Sequence, residues 1–277
     1  MTSLNITEQD LLGAKDKVVI ITGGSAGIGL ATTQLFSRLG AHVFVGDVNP
    51  LPSPLPNTTF VRTDVSKWSD LLELYSTAFS AHKRIDIVIA NAGVAEIDDI
   101  LSEEVDDQGR LKEPSYKTVD INLRGVLNCT KLAAHYMRKT GGGSVSITGS
   151  VASYLGGGVP IYTTTKHGVL GLTRGIAKSL KELKITINVT APFFTESNLM
   201  FPELREMCAR KNVPVSDASS VAKALAYNAL QGGDWTGKAI WVAADKWGEV
   251  EGPISALRKQ WLGEEFDELF VRAWADE

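Results

Sequence analysis

Tyr162 and Lys166 stand four residues apart in Tyr162-Thr163-Thr164-Thr165-Lys166, within a stretch whose periodicity predicts a helix from Ile161 to Leu183. On a helix that spacing puts phenol and ammonium on one face, a turn apart. A free phenol has a pKa of about 10 and is a poor base at neutral pH. A neighbouring ammonium favours the phenolate and lowers that value. The pair can therefore act as a general base toward a substrate hydroxyl, although Tyr and Lys at this spacing often amount to packing plus a solvated charge. Ser150 lies just past the β-branched run Ser144–Ile147, upstream of Tyr162. A hydroxyl there can hydrogen-bond a substrate oxygen and steady developing charge. Ser146, Thr148 and Ser153 compete for that role; Ser146 alternates into the strand and Ser153 lies farther along the loop. Asn122 falls inside a second predicted helix, Tyr116–Met137, where a buried Asn is unfavourable unless its amide is used. The alternative for Asn122 is a structural hydrogen bond that kinks the helix.

Taking a proton from an alcohol is useful when something accepts the hydride, and the N-terminal part of the chain suggests what does. The apolar run Val18–Ile21 leads directly into Thr22-Gly23-Gly24-Ser25-Ala26-Gly27-Ile28-Gly29, and a helical pattern follows. Glycines between a buried strand and a helix let backbone approach a pyrophosphate while helix N–H groups and the macrodipole face it. The spacing departs from G-x-G-x-x-G by a longer spacer, and glycines also cap turns for steric reasons alone. Asp47 ends the next strand, roughly 20 residues past the glycines, where a Rossmann-type fold puts a ribose-binding carboxylate. Such a carboxylate repels a 2′-phosphate, and no Lys or Arg occurs from His42 to Asn57. The expected cofactor is NAD rather than NADP; the alternative for Asp47 is a turn start ahead of Pro50. Asp64-Val65 and Asn91-Ala92-Gly93 follow further strands, at the ends where open sheets bind ligands. Either can equally be a turn or a helix cap.

The elements that must position these residues are legible as alternation. Val18–Ile21, His42–Val45, Thr58–Val61, Ile85–Ile89, Ser144–Ile147 and Ile185–Val189 read as strands buried on both faces. Between them lie amphipathic patterns such as Ile28, Leu35, Leu39 and Leu71, Leu72, Tyr75, Phe79. The expected fold is α/β: a doubly wound parallel sheet with helices on both faces, forming a single domain over residues 1–277. Pro50, Pro52, Pro54 and Pro56 mark an extended connection, and Ile97–Glu113 reads as an acidic, solvated loop or short surface helix. Residues 193–215 lack strand period and are rich in Phe193, Phe194, Leu199, Met200, Phe201 and Met207; they are read as a substrate lid rather than core. Residues 252–277 read as a C-terminal helical extension broken at Gly263.

Composition excludes several classes. The chain has 28 Lys and Arg against 32 Asp and Glu, a net charge of −4, which leaves no electrostatic footprint for nucleic acid. Two cysteines cannot make a disulfide framework, so a reducing, cytoplasmic setting is expected. Met1–Asp16 has no apolar signal core and no run is long enough to span a membrane. His42, His82, His135 and His167 share no metal-ligand spacing, and no metal is expected.

Taken together, Thr22-Gly-Gly-Ser-Ala-Gly-Ile-Gly29, Asn91-Ala-Gly93, Asn122, Ser150 and Tyr162-x-x-x-Lys166 resemble, in order and context, the short-chain dehydrogenase/reductase family over roughly residues 15–195. The pattern around Asp47 and at the C-terminus is similar to the NAD-linked branch with hydroxyprostaglandin dehydrogenase and fungal secondary-metabolite alcohol dehydrogenases. The resemblance implies Tyr162 as acid/base, Lys166 as ribose-binding and pKa-lowering residue, and Ser150 as donor to the substrate oxygen. It further implies Asn122 as holder of a water linking Lys166 to solvent, and Gly23, Ser25, Gly27, Ile28, Gly29, Asp47, Asp64, Val65, Asn91, Gly93, Pro192 and Thr195 as the cofactor site. A homodimer or homotetramer acting on a small-molecule alcohol or ketone is implied as well. The family's usual Pro-Gly is replaced here by Pro192-Phe193, which adds an aromatic wall near the expected nicotinamide, and the Ser150–Tyr162 loop is one residue shorter than is common. Two other readings stand beside an oxidoreductase acting on a bulky hydrophobic secondary alcohol. One is a non-catalytic dinucleotide sensor; the other is a non-redox isomerase or cyclase.

Overall fold

A computed structural model describes residues 1–97 and 99–274. The elements run β1 (Thr2–Leu4), β2 (Val18–Thr22), α1 (Gly27–Arg38), β3 (His42–Asp47), β4 (Thr58–Arg62), α2 (Trp68–His82), β5 (Ile87–Ala90) and α3 (Lys117–Val119). A π-helical turn at Asp120–Arg124 leads into α4 (Gly125–Arg138), β6 (Gly143–Thr148), α5 (Pro160–Glu182), β7 (Ile185–Pro192) and α6 (Pro202–Arg210). The chain closes with α7 (Ala218–Leu230), β8 (Ala239–Ala243), β9 (Lys246–Glu249), α8 (Glu251–Ala256), α9 (Arg258–Leu262) and α10 (Glu264–Trp274).

The strands form one sheet in the order β1-β9-β8-β7-β6-β5-β2-β3-β4. From β4 to β8 every pairing is parallel, whereas β9 and β1 add antiparallel at the far edge. Successive side chains of a strand point to opposite faces. Val18 and Ile20 of β2 accordingly join the core under α2, α4 and α5, with Leu71, Leu74, Leu132 and Val169. Val19 and Ile21 face the other way, into the core under α1 and α7, with Leu35, Phe36, Val221 and Leu225. Both faces are dry over the inner strands, which is why these are nearly continuous Val and Ile; β4, expected to be buried on both faces, is partly exposed because it is the edge strand. Strand order reverses between β5 and β2, so the crevice at their C-terminal ends is where this topology places a ligand.

Several expectations change in detail. The strand expected at Ile85–Ile89 begins at Ile87, because Ile85 lies in the turn before it. The helix expected over Tyr116–Met137 is present and runs continuously through a π turn at Asp120–Arg124, around Asn122. Residues 193–215, expected to be irregular, contain α6, which starts at Pro202 in the first helical turn. Its sequence PELREMCAR buries Cys208 and little else, so it carries no apolar stripe to read. The helical pattern at the C-terminus divides at Gly263, whose φ of +81° ends α9; residues 275–277 lie outside those described, as does Asp98 of the acidic loop. No helix among the described residues is long and apolar enough to cross a membrane, and no group of three or more possible metal ligands is found among them.

Candidate active site

The turn from β2 into α1 is built by steric necessity. Gly23 has φ +65°, and a Cβ on it would lie 2.7 Å from the Cα of Ala92. A Cβ on Gly29 would lie 1.8 Å from the carbonyl oxygen of Gly23. The turn is held from below by Asn91, whose Nδ2 donates to the carbonyls of Thr22 at 3.2 Å and Gly23 at 3.1 Å. Asn91 Oδ1 in turn accepts from Thr148 Oγ1 at 3.0 Å. Asp47 holds it from the side: its Oδ2 accepts from Ser25 N at 3.0 Å, and its Oδ1 from Asn49 N at 3.0 Å. Asp47 is thus both a turn former and the carboxylate beside the glycines. Ser25 is buried, yet its hydroxyl has no partner among the described residues. A buried hydroxyl without a partner is costly unless a ligand group uses it. That orphan, set in a glycine cradle at the start of α1 with Ile28 in its first turn, fits the phosphates and ribose of a dinucleotide.

Around the cradle the other sequence-predicted residues fall into two sets. Asp64 follows β4 with its Oδ1 held by Ser66 N at 3.0 Å and Ser66 Oγ at 2.6 Å. The Ser66 hydroxyl, with help from the Lys67 ammonium, keeps that carboxyl below its usual range. Val65 is buried against Gly125. Pro192 closes β7 and Thr195 is buried beyond it, its Oγ1 donating to the carbonyl of Phe193 at 3.1 Å. The segment after it crosses the glycine turn, for a Cβ on Gly27 would meet Ser197 Cβ at 3.2 Å.

The second set surrounds the phenol. α5 carries Tyr162 and Lys166 on one face, the ammonium 5.5 Å from the ring centroid. Lys166 Nζ is buried and donates to the carbonyl of Thr148, at the end of β6, at 2.9 Å. Burial pulls its pKa down from 10.5 to about 8, so it remains mostly charged at neutral pH. Burial also pushes the Tyr162 phenol up, and a hydrogen bond from Ser150 opposes that rise. From the chain's own groups the phenol therefore sits above its ordinary value, because desolvation outweighs the Ser150 hydrogen bond.

Of the competing hydroxyls, Ser153 Oγ accepts from Ser150 N at 3.2 Å and Thr148 Oγ1 donates to Asn91, while Ser146 Oγ is sealed inside the sheet with no partner among the described residues. Ser150 is left at the end of β6, its Oγ also accepting from Ala152 N at 3.1 Å. Asn122 is fully buried; its Oδ1 accepts from Val94 N at 2.8 Å and its Nδ2 donates to Val94 O at 2.9 Å. Its amide thus pins the loop after β5 while the π turn lets Gly125 N reach back five residues to Asp120 O. Gly93 lies between these groups: a Cβ there would be 3.3 Å from Asn122 Oδ1 and 3.8 Å from Lys166 Nζ. Two residues of this network carried no sequence signal. Glu96 accepts from Tyr162 N at 2.8 Å, and Thr165 donates to Tyr162 O at 2.7 Å.

Comparison with known proteins agrees with this geometry. The sequence profile of the short chain dehydrogenases matches residues 17–208, which hold both sets. The chain is 37% identical over 284 aligned residues to short-chain dehydrogenase/reductase prx4 of Penicillium roqueforti, covering 95% of this chain and 85% of that protein. It is 39% identical to short-chain dehydrogenase/reductase ascJ of Acremonium egyptiacum, covering 92% and 87%. Among solved structures, 3-ketoacyl-(acyl-carrier-protein) reductase from Brucella melitensis, complexed with NADH, shares the fold with a TM-score of 0.71 at 23% identity, over 83% of this chain and 98% of that one. The profile match over residues 17–208 and these identities over most of both proteins place the chain in the short-chain dehydrogenase family of nicotinamide-dinucleotide-dependent oxidoreductases.

Proposed function

We propose that the chain transfers hydride between NAD(H) and a secondary alcohol or its ketone, and that the substrate is bulky and hydrophobic. The set of buried Ser150 and Lys166 around a half-buried Tyr162 carries the reading. Gly23, Ser25, Gly27, Ile28 and Gly29 would hold the pyrophosphate and its ribose, Asp47 the ribose hydroxyls, Asp64 and Val65 the adenine. Asn91, Gly93, Pro192 and Thr195 would line the nicotinamide end. The bound dinucleotide supplies the hydride acceptor or donor. Tyr162 exchanges a proton with the substrate oxygen, and Ser150 donates to that oxygen as charge develops. Lys166 holds the nicotinamide ribose and, by its charge, favours the phenolate; Asn122 keeps the loop beside Lys166 in place, where a water can link the ammonium to solvent.

The preference for NAD over NADP rests on Asp47 and on the lack of any Lys or Arg from His42 to Asn57. Substrate size rests on the exposed aromatic pair Phe193 and Phe194, ring centroids 4.3 Å apart, just past β7, with Phe201 exposed beyond. Residues 193–215 are read as a lid over that surface, and residues 252 onward as a helical extension whose exposed Trp261 and Phe266 suit a homodimer or homotetramer. Buried, unpaired Cys129 and Cys208 support a reducing, cytoplasmic location. A sensor would have no use for a phenol poised between a serine and an ammonium; a non-redox isomerase or cyclase would use the same acid/base set but would leave the cofactor's redox state unchanged, which NADH absorbance reads.

The test is Tyr162→Phe. It removes the transferable proton and little else, so turnover should be abolished while NADH binding, followed by fluorescence, stays within about twofold. Substantial turnover in this variant, or tighter binding of NADPH than NADH by the parent protein, would overturn the reading.

A further inference from the structure

The N-terminus of α5 lacks a cap from its own sequence. Val159 precedes the helix and provides no side-chain acceptor. Upstream lie Gly156, Gly157 and Gly158, with nothing near where a Cβ would be, so that loop gives the helix no firm hold. The first N–H groups of a helix need acceptors. The one on Tyr162 finds Glu96 Oε2 at 2.8 Å, delivered from the loop after β5. A carboxylate there also faces the positive end of the helix dipole.

Glu96 is itself held on both sides. Val94 is clamped by Asn122 through its N–H and its carbonyl. The Thr118 hydroxyl accepts from Ile97 N at 3.1 Å and donates to Ala95 O at 3.5 Å. On the far side of Tyr162, its carbonyl accepts from Thr165 Oγ1, and that hydroxyl also meets Asn122 Nδ2 at 3.5 Å. Both backbone polar groups of Tyr162 thus lead back to Asn122.

We propose that Glu96 is a positioning residue for Tyr162: its carboxylate ties the first turn of α5 to the loop after β5 and sets where the phenol stands beside Ser150. This rests on the reading of Tyr162 as the proton-transfer group. Without Glu96 the first turn of α5 frays, and misplacement of a reacting group by about 1 Å costs up to about a hundredfold in rate.

The experiment compares Glu96→Ala and Glu96→Gln in the full chain. Hydrogen exchange of the Tyr162–Thr165 amides needs no substrate, and turnover is read with 1-phenylethanol and NAD. In Glu96→Ala those amides should exchange at least about tenfold faster, and kcat should fall about tenfold or more with KM and NADH affinity within about twofold. Glu96→Gln keeps an acceptor oxygen and should restore the protection and most of the rate. Parent-like protection in Glu96→Ala would overturn the proposal. So would a glutamine variant no better than alanine, or a loss of melting temperature with kcat unchanged per folded molecule. Should Tyr162→Phe retain turnover, the functional reading fails, while the exchange data still report whether Glu96 holds the turn.

Discussion

Replacing Lys166 by methionine is expected to make the protein without cofactor more stable at neutral pH while destroying its activity. The buried ammonium has one hydrogen-bond partner, the carbonyl of Thr148, and its pKa falls from 10.5 to about 8. At about 1.4 kcal/mol per pH unit, that gap is a burial cost of about 3 kcal/mol. Below pH 8 the lysine is charged in the folded and unfolded chains alike, and the whole cost is present. Between about 8 and 10.5 the folded protein has released its proton and the unfolded chain has not. The unfolded state then binds more protons, so stability rises with pH across that window. Methionine fills the stem's volume, removes the charge and leaves the Thr148 carbonyl unpaired, which costs about 1–3 kcal/mol. The variant should therefore be about 1 kcal/mol more stable than the parent at pH 7, and about 2 kcal/mol less stable by pH 10.5. Urea unfolding followed by tryptophan fluorescence at pH 7, 9 and 10.5 measures the difference between the two proteins, in which all other titrating groups cancel. A difference that does not change across this range would refute the argument, because it would mean the ammonium is not desolvated. Agreement would show stability given up to keep a charge where the chemistry needs it.

Gly29→Ala is expected to lose about 2–3 kcal/mol and NADH binding together, since its Cβ would overlap the Gly23 carbonyl at 1.8 Å; Gly156→Ala, which meets nothing, is the control, and urea unfolding with fluorescence titration reads both. Asp47→Ala removes the acceptor of Ser25 N as well as the ribose contact, so NAD affinity should fall about tenfold or more and the preference over NADP should erode, as measured by titrating both cofactors. Phe194→Ala or Met200→Ala should change the relative rates for large and small alcohols more than NAD affinity. For the same segment, hydrogen exchange over residues 195–213 should slow when a substrate analogue binds, and core-like protection in both states would make it packing rather than a lid.

The inner parallel strands were readable because burial on both faces leaves a mark in them: Val18–Ile21 is apolar without a gap, and Ile185–Val189, otherwise apolar or β-branched, is broken only by Asn188. The parallel strand Ala239–Ala243 was missed, being short and followed closely by β9. The antiparallel edge was not readable either, because Lys246–Glu249 is short and half polar, and Thr2–Leu4 shorter still. Tyr162, Lys166, Ser150 and the glycines were legible because their chemistry demands residue type and spacing within a single element. The π turn around Asn122 reads in sequence as uninterrupted α-helix, since the extra residue of a π turn changes register and not composition. Glu96 was invisible for a different reason. A glutamate in an acidic stretch looks solvated, and its partner is a backbone amide 66 residues away that no side-chain pattern announces. The upward push on the Tyr162 phenol in the chain alone has the same cause: spacing shows the ammonium, whereas burial exists in three dimensions alone.

The pairing of Thr2–Leu4 with Lys246–Glu249 sets an order of events during synthesis. A ribosome delivers the parallel strands one after another, and each can dock on its predecessor as its helix forms. Thr2–Leu4 has no partner until Lys246–Glu249 is outside. It must wait as loose chain, and β8 stays an open edge until the hairpin with β9 closes over it. Contacts between segments far apart in sequence are slow to find. Completion of the sheet is thus a late step, and the interval before it is when nascent chains are most prone to pair edge to edge with one another.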